Sequence, residues 1–263
     1  MSATYPVGST SFYGETLALS TTLASLGIPK GYQEAMVHAP SSAFRLAINP
    51  ALIDAVFYDE SASAGSEYKR TGSGGVELVQ DLTDRTHVGA AGTGTLLDSS
   101  TTSDFLYLCF AEPVGGIRVT IGAANGSTAT VAATYRKNDD TWANLSPTDG
   151  SASGGATLAQ TGSITWSAVT DWKAAQLVGP QGIVTTESEH PTAKGFWMRL
   201  AWSGALDADT EISDIWGLND ATTRGYFQSG TDYSLSFDRR VIGAIEVILA
   251  SSTDTMQITW TKH

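Results

Sequence analysis

The sequence predicts an all-β protein, a jelly-roll-like β-sandwich with additional strand-like N- and C-terminal segments. Three observations carry this expectation. Gly, Ser, Thr and Ala dominate the chain, whereas Lys, Glu and Leu, which fill exposed helix faces, are comparatively few. Apolar residues alternate with a period of two over short runs. Those runs are bounded by Gly, Asn, Asp or Pro, the punctuation of a sandwich or barrel.

The candidate strands follow in chain order. Before residue 60 they are Tyr32–His38, Phe44–Ile48 and Ile53–Tyr58. The middle of the chain supplies Phe105–Phe110, Ile117–Ile121, Thr128–Arg136, Ser163–Trp166, Phe196–Trp202 and Glu211–Trp216. The last group is Tyr233–Phe237, Val241–Leu249 and Met256–Trp260. The strands of residues 51–217 suffice for one jelly-roll sandwich, whose inner faces share a core. Residues 1–50 form an N-terminal arm with strands for assembly contacts, and residues 218–263 add C-terminal strands. Each of these flanks is too short for a stable sheet alone, so they are expected to pair with one another or with a neighbouring subunit. Short helical turns are expected at Thr16–Leu26 and Thr170–Ala175, where Thr170 or Asp171 could cap a turn.

Turn chemistry joins these runs. Asn125-Gly126 tolerates positive φ and predicts a tight hairpin between Ile117–Ile121 and Thr128–Arg136. Asn138-Asp139-Asp140 predicts a further reversal before Trp142. Ser61–Gly75 and Ser146–Gly162 are rich in Gly, Ser, Thr and Asp and read as loops at the ends of the sandwich. No internal repeat of fixed period is present, which excludes a solenoid or propeller.

Composition narrows the function. The formal charge is −12, from 27 acids against 15 bases, so phosphate backbones repel the chain and nucleic acid is not an expected partner. The acids are dispersed without a run of five or six like charges, which makes them a solvating surface. No stretch approaches the roughly 18 unbroken apolar residues of a membrane helix, so no membrane is expected. The start, MSATYPVGSTSFYGETLALS, lacks a basic segment followed by an apolar core, and an intracellular origin is the expectation. Cys109 is the single cysteine and excludes an internal disulfide; inside Phe105–Phe110 it reads as a small buried hydrophobe.

Chemistry-bearing patterns are sparse. His38, His87, His190 and His263 have no metal-ligand spacing, so neither a zinc site nor any cofactor is expected. Glu187-Ser188-Glu189-His190 reads as solvated surface beside Pro191. The hydrolase elbow, the phosphate loop and the dinucleotide glycine pattern do not occur. Asp207-x-Asp209-x-Glu211 offers alternate carboxylates to calcium but lacks the glycine and distal glutamate of an EF-hand loop, and reads as an acidic turn. Sequons stand at Asn125 and Asn144, the first explained by hairpin chemistry. No catalytic residue is assigned and no enzyme is expected.

Seven tryptophans are present: Trp142, Trp166, Trp172, Trp197, Trp202, Trp216 and Trp260. Most alternate with apolar residues and are expected in cores or interfaces. Trp142 and Trp172 flank polar turns and are the candidates for an exposed, glycan-binding aromatic platform.

One pattern extends beyond these features. A tyrosine-ended strand at Tyr135 precedes Asp140-Thr141-Trp142-Ala143-Asn144-Leu145, Thr148-Asp149-Gly150 and Gly154-Gly155-Ala156-Thr157-Leu158. Thr161-Gly162-Ser163-Ile164-Thr165-Trp166, Asp171-Trp172 and Gly195-Phe196-Trp197-Met198-Arg199-Leu200 follow, with Thr102–Leu108 upstream. This series, within residues 30–217, resembles a β-sandwich segment of tailed-bacteriophage virion structural proteins, and none of its motifs is catalytic. The resemblance implies a non-enzymatic virion component assembled in the host cytoplasm. Its expected partners are the major capsid protein or other virion proteins, in symmetric homo-oligomeric copies. A decoration or head auxiliary protein is the first expectation. A tail or baseplate protein binding host glycan is the second, and a free-standing carbohydrate-binding module or enzyme the third.

Overall fold

Alternating runs become strands throughout the computed structural model, which describes residues 11–20, 24–27, 34–60, 67–84, 91–98, 100–177, 192–219, 226–227, 232–236, 242–249 and 253–262. The chain is all-β. In order, the strands are β1 (Ser11–Leu19), β2 (Ala24–Gly27), β3 (Glu34–His38), β4 (Phe44–Pro50), β5 (Leu52–Asp59), β6 (Glu67–Lys69), β7 (Thr95–Leu96) and β8 (Phe105–Phe110). They continue with β9 (Gly116–Ala123), β10 (Val131–Arg136), β11 (Trp142–Asn144), β12 (Thr148–Asp149), β13 (Gly162–Thr165), β14 (Ala174–Ala175), β15 (Gly195–Trp202) and β16 (Glu211–Gly217). The last four are β17 (Tyr226–Phe227), β18 (Tyr233–Ser236), β19 (Ile242–Leu249) and β20 (Asp254–Lys262). A four-residue helix, α1 (Leu78–Asp81), lies between β6 and β7.

Two compact units divide the chain: a central unit, residues 49–219, and a terminal unit that combines residues 1–48 with 220–263. The two flanks form one unit.

The central unit is a sandwich of two antiparallel sheets. One has the order β11-β10-β15-β8-β5-β6, with β14 also paired to β15; the other has the order β12-β13-β9-β16-β7. β8, β9, β10, β13, β15 and β16 alternate between the sheets in chain order, so the chain crosses from one layer to the other between each of these and the next. Period-two alternation aims Leu106 and Leu108 of β8, Ala133 and Tyr135 of β10 and Met198 and Leu200 of β15 inward, against Ile117 and Val119 of β9, Ile164 of β13 and Ile212 and Ile215 of β16. Each fully buried side chain of this size contributes about 1.5–3 kcal/mol. Gly195 opens β15 where a Cβ would stand 2.6 Å from both the Cys109 Sγ and the Phe110 carbonyl, so the close approach of β15 to β8 requires glycine there. The Asn219 amide donates to the Asn49 Oδ1 at 2.8 Å and ties the two ends of the unit together.

Two local expectations are corrected. Asn125-Gly126 is not a tight hairpin, because β9 and β10 belong to different sheets. Asn125 is buried instead: its Nδ2 donates to the Ser127 and Thr157 carbonyls, and its Oδ1 accepts from the Ser127 and Asp207 amides. Apart from β12, the segment 146–161 is turns and bends, as its composition predicts, and it is anchored in the core. Leu158, at φ 56°, is fully buried, and the Ser151 carbonyl accepts from the amides of Ala159 and Gln160. The expected helical turns are also strands or strand-like. Thr16–Leu19 pairs with Gln257–Asp254, and residues 16–19 run exposed, half-buried, exposed, buried, a period of two that suits a strand. Trp172 bridges Lys137, and Ala174–Ala175 is β14. The reversal at Asn138–Asp140 is present, with Asp140 at φ 65° joining β10 to β11.

The terminal unit has two four-stranded sheets, β1-β20-β3-β18 and β17-β4-β19-β2. Leu19, Val37, Met256, Ile258 and Trp260 from the first sheet pack with Phe44, Leu46, Ile245, Val247 and Leu249 from the second. The two flanks pair with each other: β20 lies between β1 and β3, in continuous antiparallel register with β1 from Ser11↔Lys262 to Leu19↔Asp254.

Candidate functional site: an aromatic and arginine face

The strand register builds this site on the outer face of the first central sheet. Alternation that sends Leu106 and Leu108 inward sends Phe105, Tyr107 and Cys109 outward. Tyr68 opposes Tyr58 across β6 and β5, and Tyr58 opposes Phe105 across β5 and β8. In the next row, Tyr107 opposes Arg199 of β15, which opposes Thr134 of β10. Trp142 of β11 lies across from Arg136.

These rows form a continuous shelf. Tyr58 and Tyr68 have ring centroids 4.7 Å apart, and Tyr58 and Phe105 stack at 6.3 Å with 22° between planes. Phe105 and Tyr107 are 6.1 Å apart, and Tyr107 meets Trp142 edge-on at 5.7 Å. The Arg199 guanidinium lies 4.5 Å from the Phe105 centroid and 4.7 Å from that of Trp142, both within cation–π range. Its Nε donates to the Thr134 Oγ1 at 3.0 Å. Among the described residues no carboxylate forms an ion pair with Arg199.

An open pocket of about 340 Å³ occupies this face, lined by Tyr58, Glu60, Tyr68, Thr102, Ser103, Phe105, Tyr107 and Arg199. Buried Asp104 fixes its rim: one carboxylate oxygen accepts from the Glu60 amide at 2.8 Å, the other from the Thr101 amide at 2.7 Å and hydroxyl at 3.1 Å. The loops that present Glu60, Thr102 and Ser103 are thereby held together. Burial pushes the Tyr107 phenol above its ordinary range, against the opposing pull of Arg199, and keeps it a neutral hydrogen-bonding group.

The two tryptophans singled out in the sequence fare differently. Trp142 is half-buried and belongs to this face. Trp172 does not: it is 7% exposed, packs in the main core, stands 5.5 Å from Tyr135 and donates through its indole to the Trp197 carbonyl at 3.0 Å. Its expected exposure is corrected, because its polar flanks turn outward while the indole fills the sandwich. Trp166, Trp197, Trp202, Trp216 and Trp260 are buried, as expected. Sequence reasoning missed Tyr58, Tyr68, Phe105, Tyr107 and Arg199. The available signal was a lone arginine within the apolar run Phe196–Trp202.

Elsewhere, polar groups serve the fold. Glu211, 1% exposed, accepts from the amides of Gly92, Thr93 and Gly94, the second at 2.9 Å. Asp207 accepts from the Gly126 amide and, at 2.8 Å, from the Thr210 hydroxyl; the amide bond holds its carboxyl below the ordinary range. Asp207 and Glu211 therefore turn toward separate loops. Thr141 holds Asp139 down at about 2 through its hydroxyl and amide. Burial, reinforced by the Asp54 charge, pushes the Cys109 thiol far up, so it stays protonated. His38 meets Asp232 at 3.0 Å in the terminal unit, while His87, the Glu187–His190 stretch and His263 lie outside the described residues.

No protein-family model matches the sequence, and no curated protein matches it.

Proposed function

We propose that this chain is a non-enzymatic structural component of a tailed-phage virion, a capsid-associated decoration or head auxiliary protein built on a jelly-roll-like sandwich. The observation that carries this reading is the pairing of β1 with β20, which joins both flanks into a second compact unit beside the central one in the chain's organisation. Such a two-sandwich chain can cement a shell through strand edges without a chemical step. The terminal sheets end on β1, β18, β17 and β2, whose edges can accept a strand from a neighbouring virion protein or copy. The structural engagement of Asp104, Glu211 and Asp207 and the protonated Cys109 support a role without catalysis. Electron cryomicroscopy of particles from cells expressing the protein tests it. Density on the capsid lattice is expected, and its absence from the particle would overturn the proposal.

A second reading, a tail or baseplate component that binds host glycan, is favoured by one observation, the aromatic and arginine pocket. Density at the tail together with glycan binding by the purified protein would move it to first place.

A further inference from the structure

We propose that the pocket beside Phe105 and Arg199 is a saccharide site for a neutral hexopyranose unit. The proposal rests on the glycan-binding reading and specifies its residues and ligand class. A pyranose has an apolar C–H face and an edge of hydroxyls. Tyr68, Tyr58 and Phe105 line the pocket and offer the first an aromatic wall of packed rings. The rim offers the second both hydrogen-bonding senses: Arg199 donates, Glu60 accepts, and the hydroxyls of Thr102, Ser103 and the tyrosines do either.

Charge selects among ligands. Arg199 and Glu60 bring one positive and one negative group to the lining, and the whole chain carries −12. A phosphate- or carboxylate-bearing ligand would meet Glu60 and a repelling surface with a single cation in compensation. A neutral polyol uses both charged groups as hydrogen-bonding partners. An aliphatic ligand would leave the guanidinium and carboxylate unpaired on binding.

The site is also preorganised. Arg199 is fixed between two rings and anchored at 3.0 Å to Thr134, and Asp104 locks the rim loops, so little conformational freedom remains to be lost on binding. The volume, about 340 Å³, lies at the lower end of the ~300–1,000 Å³ range of ligand pockets, which suits one or two sugar units rather than a long chain.

The test uses the full chain on an array of immobilised neutral oligosaccharides, namely glucans, galactans and mannans, beside uronate- and sialate-bearing ones. Arg199→Met and Tyr68→Ala are assayed in parallel, with circular dichroism to establish folding. Tyr68 lies on a three-residue edge strand, which keeps that variant folded if Arg199→Met is not. Binding to at least one neutral class is expected, weakened about tenfold or more by each folded variant. Binding to acidic glycans alone would overturn the neutral-sugar assignment while leaving the glycan reading standing. Neutral binding unchanged in folded variants would overturn the site. No binding to any glycan would overturn both.

Discussion

The Tyr135 phenol donates a 2.6 Å hydrogen bond to the Asp171 carboxylate, 36 residues further along the chain. The two residues join the end of β10 to the segment leading into Trp172. Accepted by a carboxylate, the proton is held: Tyr135 is pushed up to about 12, chiefly by this bond. A folded value above the unfolded one of 10.0 means that the stabilisation is complete below about pH 10 and disappears as pH rises through about 12. Tyr135→Phe is expected to cost about 1–2 kcal/mol, since Asp171 is partly exposed and regains water. Urea unfolding should show this deficit at neutral pH and a smaller one in strong base. A deficit constant with pH would contradict the assignment.

Glu211 offers a second test. Three consecutive amides, Gly92 to Gly94, converge on one buried carboxylate. Glu211→Gln replaces an acceptor oxygen by a donor facing those amides, and about 2–3 kcal/mol of stability should be lost. Glu211→Ala should lose more, because all three amides lose their partner. Chemical denaturation of the two variants checks the order, and an alanine variant as stable as wild type would show that water replaces the carboxylate.

Strands were legible in the sequence wherever one face alternates with the other, as in Phe196–Trp202 and Thr128–Arg136, because a half-buried strand writes its geometry into its side chains. Partners were not legible. Asn125-Gly126 has the composition of a hairpin turn, and only the assignment of β9 and β10 to different sheets shows that its amide group serves as a buried tie. Leu17 and Leu19 read as a possible helical turn because their partner, β20, lies more than 200 residues away. The aromatic face was hidden for a related reason. Phe105-Leu106-Tyr107-Leu108 is apolar on both faces, so alternation cannot reveal that one side is a core and the other a shelf. Trp142 was found through its polar neighbours, and the same rule misplaced Trp172.

The Asp54–Arg70 pair tests how the central unit tolerates a buried charge. Asp54 is 2% exposed; Arg70 meets one of its oxygens at 2.6 Å, and the Ala193 amide donates to the other at 2.6 Å. Burial raises its pKa from 3.8 while the Ala193 amide and Arg70 oppose that rise. Arg70→Met removes the second restraint and should cost about 3–5 kcal/mol, as for other broken buried pairs. The shift in the variant is then larger and upward. A carboxyl whose folded pKa exceeds its unfolded value stabilises below the unfolded value and loses that contribution as pH rises through the folded one. The deficit should therefore be greater at neutral pH than in mild acid, and equal deficits from urea melts would sink the prediction.

Trp260 tests whether the two units unfold independently. It is fully buried on β20, where Ala35 of β3 and Tyr13 of β1 are its register partners, and its indole packs in the terminal core with Phe44 and Val247. Trp260→Ala should cost about 3–5 kcal/mol, because a cavity of that size between two sheets collapses only in part. The central unit has its own core of Leu106, Leu108, Met198, Leu200, Ile117 and Ile164. Amide hydrogen exchange should therefore lose protection in β3, β19 and β20 and keep it in β8 and β15. Equal loss across both sets would mean that the two units unfold as one cooperative body, coupled through the two chain crossings near Asn49 and Asn219.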